Sequence, residues 1–225
     1  FTFKIKFKKL LNLYFIFALI CFQGFIGWYM VSSGLIDRVD VSHFRLSIHL
    51  LGAFIILSLI LWSYLKININ KKILNKINNF IPLLFLILVF TQIIIGAFVS
   101  GMDAGKIYNS WPLMGNSYFP DDNNIIDLFK LSAFSDPSLV QFIHRNLAYF
   151  ITFFYLFMIY KVFKNKVYEL YNSIIVLGLC IIIQIILGIY TVIHGAHIYV
   201  AAMHQFSSIF LVTFSIYFFY LNKQN

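Results

Sequence analysis

Three histidines within long apolar runs are the side chains of this sequence most suited to chemistry. His49, His144 and His204 each lie in a separate run, within the first two helical turns from the same side. Ionisable groups inside such runs are costly and usually functional. Imidazole is a common axial ligand of haem iron, and two facing helices that each supply one histidine would hold a porphyrin between them. A lone histidine equally serves as a hydrogen-bond partner of a neighbouring helix, but three at one depth favour ligation.

Two arginines near these histidines are candidates for binding carboxylates. Arg145 directly follows His144, and a guanidinium suits haem propionates. Arg45 is the second candidate, although either arginine also suits a plain interfacial anchor. Zinc is disfavoured, because no Asp, Glu or Cys lies at the depth of the three histidines. The other histidines lie at the ends of apolar runs and are interpreted as interfacial residues; they are His43, His194 and His197.

The sequence lacks the motifs of several other chemistries. Cys21 and Cys180 both lie in apolar runs, and no CxxC or CxxCH occurs. We therefore expect no thiol redox site, no structural zinc site and no covalently attached haem. A Gly-rich phosphate loop, GxSxG and HExxH are absent as well.

The elements that position these residues are membrane-spanning helices. The chain has 225 residues, of which 61% are hydrophobic and 11% charged, whereas a soluble domain carries about 25% charged residues. A span needs roughly 20 apolar residues. The sequence therefore predicts an all-α, polytopic membrane helix bundle. Six segments qualify as spans: about 10–34, 44–65, 80–101, 139–161, 171–194 and 199–221.

The distribution of positive charge predicts the orientation. If six helices alternate, one side takes only Arg38, Arg45, Lys106, Lys130 and Arg145, five of the 17 basic residues. The positive-inside rule then puts both termini on the cytoplasmic or matrix side. The net charge of +9 lies in short clusters between apolar runs, such as Lys4 and Lys6 or Lys71 and Lys72. That pattern is typical of membrane-protein loops and argues against nucleic-acid binding.

A weak internal repeat relates the helices. Gln23 and Gly27 in helix one match Gln184 and Gly188 in helix five, and each helix precedes one with a histidine. Gln92 and Gly96 repeat the spacing in helix three, although small residues at this spacing often serve helix packing alone. We expect a four-helix repeat whose first pair lies before Phe1. Residues 1–79 would then be the remainder of an N-terminal half, and residues 80–225 a complete C-terminal half.

Residues 102–138 form one long polar connection between helices three and four. A loop of this length in a compact membrane protein is usually functional. We expect it to cap the haem sites, and the alternative is a bare connector.

Six stretches, in order along nearly the whole chain, resemble the haem A synthase family in its mitochondrial and proteobacterial branch. They are Gly27–Leu35, Ser42–Leu50, Gly96–Gly105, Tyr108–Gly115, Gln141–Tyr149 and Met203–Ser207. The resemblance implies eight helices in two four-helix halves, with a first pair carrying an ExxHR segment. That pair is missing here, so the chain is expected to be an N-terminally incomplete oxidoreductase, and the sequence leaves open whether it is active as given or an inactive fragment.

The resemblance also implies the chemistry and the site residues. The family oxidises the C8 methyl of haem O to the formyl of haem A by successive hydroxylations. His144 and His204 match the ligands of a haem b, beside Arg145, and His49 matches a catalytic ligand of the substrate haem. The alternative from the residues is a membrane b-type cytochrome without substrate chemistry. A transporter is disfavoured, because its site would lie nearer the midplane.

The family also implies partners and a location. We expect contact with membrane lipid and with a haem O synthase, in a bacterial inner or a mitochondrial inner membrane. The sequence leaves open the electron donor, the oxidant and whether the protein forms a homo-oligomer.

Overall fold

The structure is a computed structural model that describes residues 7–34, 41–69 and 75–224. Within these ranges it contains six long helices: α1 (Phe7–Gly34), α2 (His43–Asn68), α3 (Phe80–Gly101), α4 (Pro137–Lys164), α5 (Tyr171–Ile193) and α6 (Ile198–Lys223). All six are long and apolar enough to cross a membrane. The six predicted spans are confirmed, and the chain is a multi-pass membrane protein. Some charges used for the orientation, namely Lys4, Lys6, Arg38, Lys71 and Lys72, lie outside the described residues.

Four of the six helices, α1, α2, α4 and α6, extend slightly beyond the predicted apolar runs, and in α4 a polar residue caps the helix start. Asp136 accepts a hydrogen bond from the backbone N–H of Leu139 at 2.9 Å, and Pro137 occupies the first helical position of α4. Proline is tolerated there because the first N–H groups have no intrahelical acceptor. Lysines in the last turns of α2, α4 and α6 stabilise these helices, because their positive charge lies at the negative end of the helix dipole.

Helices α3 to α6 form a four-helix bundle. Each packs against its two neighbours in the cyclic order α3, α4, α5, α6, so α4 and α6 lie diagonally opposite. Helix α2 packs outside this bundle against α3 and α6, and α1 packs mainly against α2. The bundle therefore positions His144 and His204 on opposite walls, whereas His49 lies on an outer helix.

The inner half of the bundle holds the largest apolar core. Phe85, Met158, Leu177 and Ile216 are among its buried side chains. Most of this core lies on the lysine-rich side of the histidines. This core packs the four helices together on one side of the histidines, and the candidate site lies in the other half of the bundle.

A buried amide ties the described end of the α2–α3 connection to the end of α6. The side chain of Asn222 is fully buried and accepts from the backbone N–H of Ile77 at 3.0 Å. It also donates to the Ile77 carbonyl at 3.0 Å and to Asn79 Oδ1 at 2.7 Å. Buried polar groups of the connection thereby find partners without water.

Candidate functional site

Each candidate histidine occupies the same place in an antiparallel helix pair. The histidine lies in the first two turns of α2, α4 or α6, and the preceding helix supplies a glutamine and, four residues later, a glycine. Residues four apart share one face of a helix. The glutamine and the glycine therefore both face the histidine-bearing helix. The predicted similarity between helices one–two and five–six extends to helices three–four.

In the pair α3–α4, Gln92 holds the turn that carries His144. Its Nε2 donates to the His144 carbonyl at 3.0 Å and lies 3.3 Å from His144 Nε2. In the pair α5–α6, Gln184 Nε2 donates to the His204 carbonyl at 3.2 Å and to Ser207 Oγ at 2.6 Å. Both amides thus bind backbone on the neighbouring helix and fix its rotation.

The outer pair α1–α2 has the same arrangement. Gln23 Nε2 donates to the His49 carbonyl at 2.6 Å and lies 3.0 Å from His49 Nδ1. The sequence alone could not separate this role from simple packing. The sequence feature that pointed to this role of the glutamine is the third occurrence of the Gln–Gly spacing, in α3.

The glycine of each pair lies against the imidazole edge. A Cβ added to Gly27, Gly96 or Gly188 would lie 2.9, 3.1 or 3.2 Å from Cε1 of the paired histidine. Real Cβ atoms rarely approach other atoms so closely, and any larger residue would displace the ring. The three glycines therefore make room for the three imidazoles.

The surroundings of His144 and His204 fit a haem. Nδ1 of each ring is buried and has no hydrogen-bond partner among the described residues. Buried polar atoms normally have hydrogen-bond partners, and a buried atom without one indicates a candidate position for a ligand or ion. The two histidines lie on diagonal helices of one bundle, where a group between them would meet both. The described residues contain no cluster of three or more His, Cys, Asp or Glu that would hold a metal ion alone.

Two clefts are formed by the described residues. One, of about 500 Å³, lies on the loop between α3 and α4 against Ile125, Asp127 and Lys130. The other, of about 350 Å³, lies between α5 and α6 and is lined by apolar residues such as Leu179 and Phe210. Ser207, which bonds the His204 carbonyl, also lines the second cleft, although no candidate histidine lines either cleft.

Arg145 contacts the outer loop rather than standing free. Its Nη1 donates to the carbonyls of Ser110 and Leu113 at 2.9 and 3.2 Å, and its Nη2 donates to the Tyr108 carbonyl at 3.0 Å. Gln141 Nε2 donates to the same Tyr108 carbonyl at 3.0 Å. The guanidinium thus has three protein acceptors, and its predicted contact with a haem propionate stays a prediction.

The loop is fastened at further points. Trp111 Nε1 donates to the Tyr149 hydroxyl at 2.9 Å, which adds a further contact with α4. Asn109 Nδ2 donates to the carbonyls of Gly105 and Val192, at 2.9 and 3.1 Å, and so reaches the end of α5. A bare connector would not need these contacts. The loop is packed and hydrogen-bonded against the ends of α4 and α5.

An ionisable pair lies within this loop. The Tyr108 hydroxyl donates to Asp122 Oδ1 at 3.0 Å, and Ser138 Oγ donates to Asp122 Oδ2 at 2.6 Å. Partial burial opposes ionisation of Asp122, but these hydrogen bonds outweigh it and lower the pKa of the carboxyl. Burial, followed by the bond to Asp122, raises the pKa of Tyr108. At neutral pH the ionised Asp122 therefore links Tyr108, near the start of the loop, to Ser138 at its end.

The remaining histidines lie at helix ends, as predicted. His43 is the first residue of α2, His194 caps the end of α5, and His197 precedes α6. The His194 ring stacks on Tyr190 with centroids 4.0 Å apart. None of these three belongs to a Gln–Gly pair.

Fold and site together define a class: multi-pass membrane bundles that present single histidines from paired helices at one depth. The sequence comparison then identifies the family. The COX15-CtaA family, described as cytochrome oxidase assembly protein, matches residues 1–216. The chain belongs to this family.

Curated relatives agree over nearly the whole chain. It is 48% identical to the haem A synthase of Pelagibacter ubique over 227 residues, which cover 99% of this chain and 66% of that protein. It is 38% identical to the haem A synthase of Rickettsia bellii, at 98% and 67% coverage. It is 39% identical to that of Flavobacterium johnsoniae, at 89% and 60% coverage. The chain thus spans about two thirds of the length of these relatives.

Proposed function

We propose that this chain forms part of a haem A synthase, a membrane oxidoreductase that converts the C8 methyl of haem O into the formyl of haem A. The observation that carries this proposal is the histidine of each helix pair, set at one depth in a chain 48% identical to a haem A synthase. Family membership supports a place in cytochrome oxidase assembly.

His144 and His204 would hold the iron of a haem b across the bundle. When bound, that haem supplies reversible one-electron transfer. Gln92 and Gln184 hold the backbone carbonyls of these histidines, so both rings are supported before any group binds. The outer loop, fastened by Arg145, limits access of water from the outer side.

His49 would bind the iron of haem O, the substrate. It lies on α2, outside the four-helix bundle, and is held by Gln23. A site on an outer helix pair suits a molecule that must enter and leave through lipid. Arg45, one turn before His49, has its guanidinium 5.3 Å from the centroid of the Tyr29 ring and stays a candidate for a propionate.

The proposed setting follows from the family and the charge pattern. Haem O synthase would supply the substrate, and membrane lipid surrounds the spans. Both termini would lie on the cytoplasmic side of a bacterial inner membrane, or on the matrix side of a mitochondrial one. The b-type cytochrome alternative predicts the same bound haem but no conversion of haem O, and the relatives do not favour it.

The test is haem extraction and chromatography from membranes of cells that co-express this chain with a haem O synthase. Haem A in the extract, absent when the chain carries His49→Ala, would support the enzyme. Purified protein with haem b but no haem A would support only the His144–His204 site and assign catalysis to a longer protein. Protein without any haem would contradict both assignments.

A further inference from the structure

The three Gln–Gly–His sets share a geometry that helix packing alone does not require. In each set the glutamine Nε2 donates to the carbonyl of the histidine itself, at 2.6, 3.0 or 3.2 Å. A helix carbonyl already accepts an intrahelical bond, so the added donor selects one turn of the neighbouring helix. In all three sets that turn is the one that carries the imidazole.

The glycine completes the constraint from the other side. The space of its missing side chain is taken by the ring, and Cε1 is the nearest ring atom in all three sets, although the glutamine faces Nδ1 of His49 and Nε2 of His144. The glutamine therefore sets the direction of the Cα–Cβ bond, and the glycine sets how deeply the ring lies between the helices. Together they leave the imidazole little freedom to rotate.

Two other helix glycines, Gly24 and Gly178, contact no imidazole and serve as comparisons. A Cβ at Gly24, three residues before Gly27, would meet nothing within 4 Å. A Cβ at Gly178, in α5, would overlap the hydroxyl of Tyr155, which bonds the Ile174 carbonyl. Gly178 therefore serves packing far from a histidine, and Gly24 serves neither purpose. The chain supplies both matched controls.

We propose that Gln92 with Gly96, and Gln184 with Gly188, are positioning residues that set the orientation of the two imidazoles on the iron of one haem. This rests on the proposed His144–His204 haem site. Gln23 with Gly27 positions His49 in the same way, so one device serves both the cofactor and the substrate. The sets differ three residues after the histidine, where Gly52, Leu147 and Ser207 occupy equivalent positions.

The glutamines of the α3–α4 and α5–α6 sets differ in their second contact. Ser207 Oγ accepts a second bond from Gln184, whereas the second contact of Gln92 Nε2 is with the His144 ring, whose Nε2 lies 3.3 Å away. Gln92 therefore contacts the imidazole directly, and Gln184 acts through the backbone and Ser207. We expect replacement of Gln92 to change the orientation of its imidazole directly, and replacement of Gln184 to change it through the helix turn.

The experiment uses the full chain, purified with its bound haem, as Gly96→Ala, Gly188→Ala, Gln92→Met and Gln184→Met. Readouts are the haem-to-protein ratio, the midpoint potential and the electron paramagnetic resonance signal of the ferric haem. That signal responds to the orientation of the two imidazoles. Groups that only orient a metal ligand commonly change affinity by about 10- to 100-fold. We expect about a tenfold loss of haem affinity, and a shifted signal and potential in the haem that remains.

The controls separate orientation from stability. Gly24→Ala should leave all three readouts and the thermal midpoint unchanged. Gly178→Ala should lower the thermal midpoint, while the signal of the bound haem stays that of the parent. If the glycine and glutamine variants keep the parent signal, potential and haem content, the positioning proposal is overturned and the haem site stands. A parent chain without haem would overturn both.

Discussion

The α1–α2 pair and the α3–α6 bundle carry the same histidine arrangement in different surroundings. In the most apolar 18-residue stretches of α1 and α2, 6% and 11% of residues are buried within the protein; the share is 33%, 22% and 28% in α3, α4 and α5, and 11% in α6. The bundle presents two histidines from opposite walls, with both Nδ1 atoms buried. The outer pair presents one, whose Nδ1 lies 3.0 Å from Gln23.

The comparison separates two requirements of a haem site. Orientation of a single ligand needs only a helix pair with a glutamine and a glycine. Enclosure of a haem needs a second helix pair opposite the first, and the α3–α6 bundle provides one for His144 and His204. This contrast is consistent with a resident haem in the bundle and an exchanging one at the outer pair.

The largest expected effect separates the two regions directly. His144→Ala or His204→Ala should lower haem b affinity by about a hundredfold or more, since even groups that only orient ligands contribute about 10- to 100-fold. His49→Ala should leave haem b in place, because its helix lies outside the bundle. The pyridine haemochrome assay on purified protein measures both. Equal losses in all three variants would remove the distinction between the regions.

The two arginines give the next contrast. Arg145→Leu should lower the free energy of unfolding by about 3 kcal/mol, because it removes three charged hydrogen bonds from loop carbonyls. Arg45→Leu loses a cation–π contact with Tyr29, which is worth about 0.5–1 kcal/mol. Denaturant unfolding in detergent gives both values.

Limited proteolysis adds a local readout to the arginine comparison. The segment 105–118 should become cleavable in Arg145→Leu and stay protected in Arg45→Leu. Unchanged protection in both variants would show that Trp111 and Asn109 suffice to hold the loop.

Two asparagines at inner helix ends sharpen the comparison further. Asn222→Leu should lower the free energy of unfolding by about 2 kcal/mol, because it leaves the N–H and C=O of Ile77 buried without partners. Asn68, at the end of α2, is exposed, and within the described part of the chain its side chain bonds the Tyr64 carbonyl of its own helix. Asn68→Leu should change stability by at most about 0.5 kcal/mol. Similar costs for both would contradict the buried role of Asn222.

The smallest expected effect concerns pH and the outer loop. The pKa of Asp122 is lowered in the folded loop, so its contribution is complete above its unfolded pKa of about 3.9. The contribution is lost as pH falls through the lower folded value. Hydrogen exchange of the loop, corrected for intrinsic rates, should therefore rise as pH falls from about 4 through the lowered pKa of Asp122. The rise should be smaller in Asp122→Asn, and an unchanged profile in that variant would assign the effect to another carboxyl.

The sequence predicted the spans well because membrane crossing imposes a simple rule on length and polarity. Six runs of about 20 apolar residues could hardly be anything else, and α3 matches its predicted limits of 80 and 101. The shared depth of the histidines followed as well, since each lies at a fixed distance from the start of its run. The start of α4 was predicted less well: the helix begins at Pro137, two residues before the predicted limit of 139, because Asp136 caps it ahead of the apolar run.

The sequence could not predict which face of each helix points inward. Lipid is as apolar as the protein interior, so hydrophobic periodicity carries little information about helix rotation. The spacing of Gln92 and Gly96 was visible, but its contact with His144 depends on how α3 meets α4. The anchoring of the outer loop by Arg145 was missed for a related reason. Its acceptors are backbone carbonyls 32 to 37 residues away, and every residue type has such a carbonyl.

The sequence by itself thus determined the membrane class, the number of spans and the candidate ligands, because those depend on composition and on distance along the chain. Tertiary structure alone decided that one glutamine and one glycine support each histidine and that two of the histidines share a bundle. Those facts depend on the rotation and packing of neighbouring helices, which are set by contacts between residues far apart in the chain.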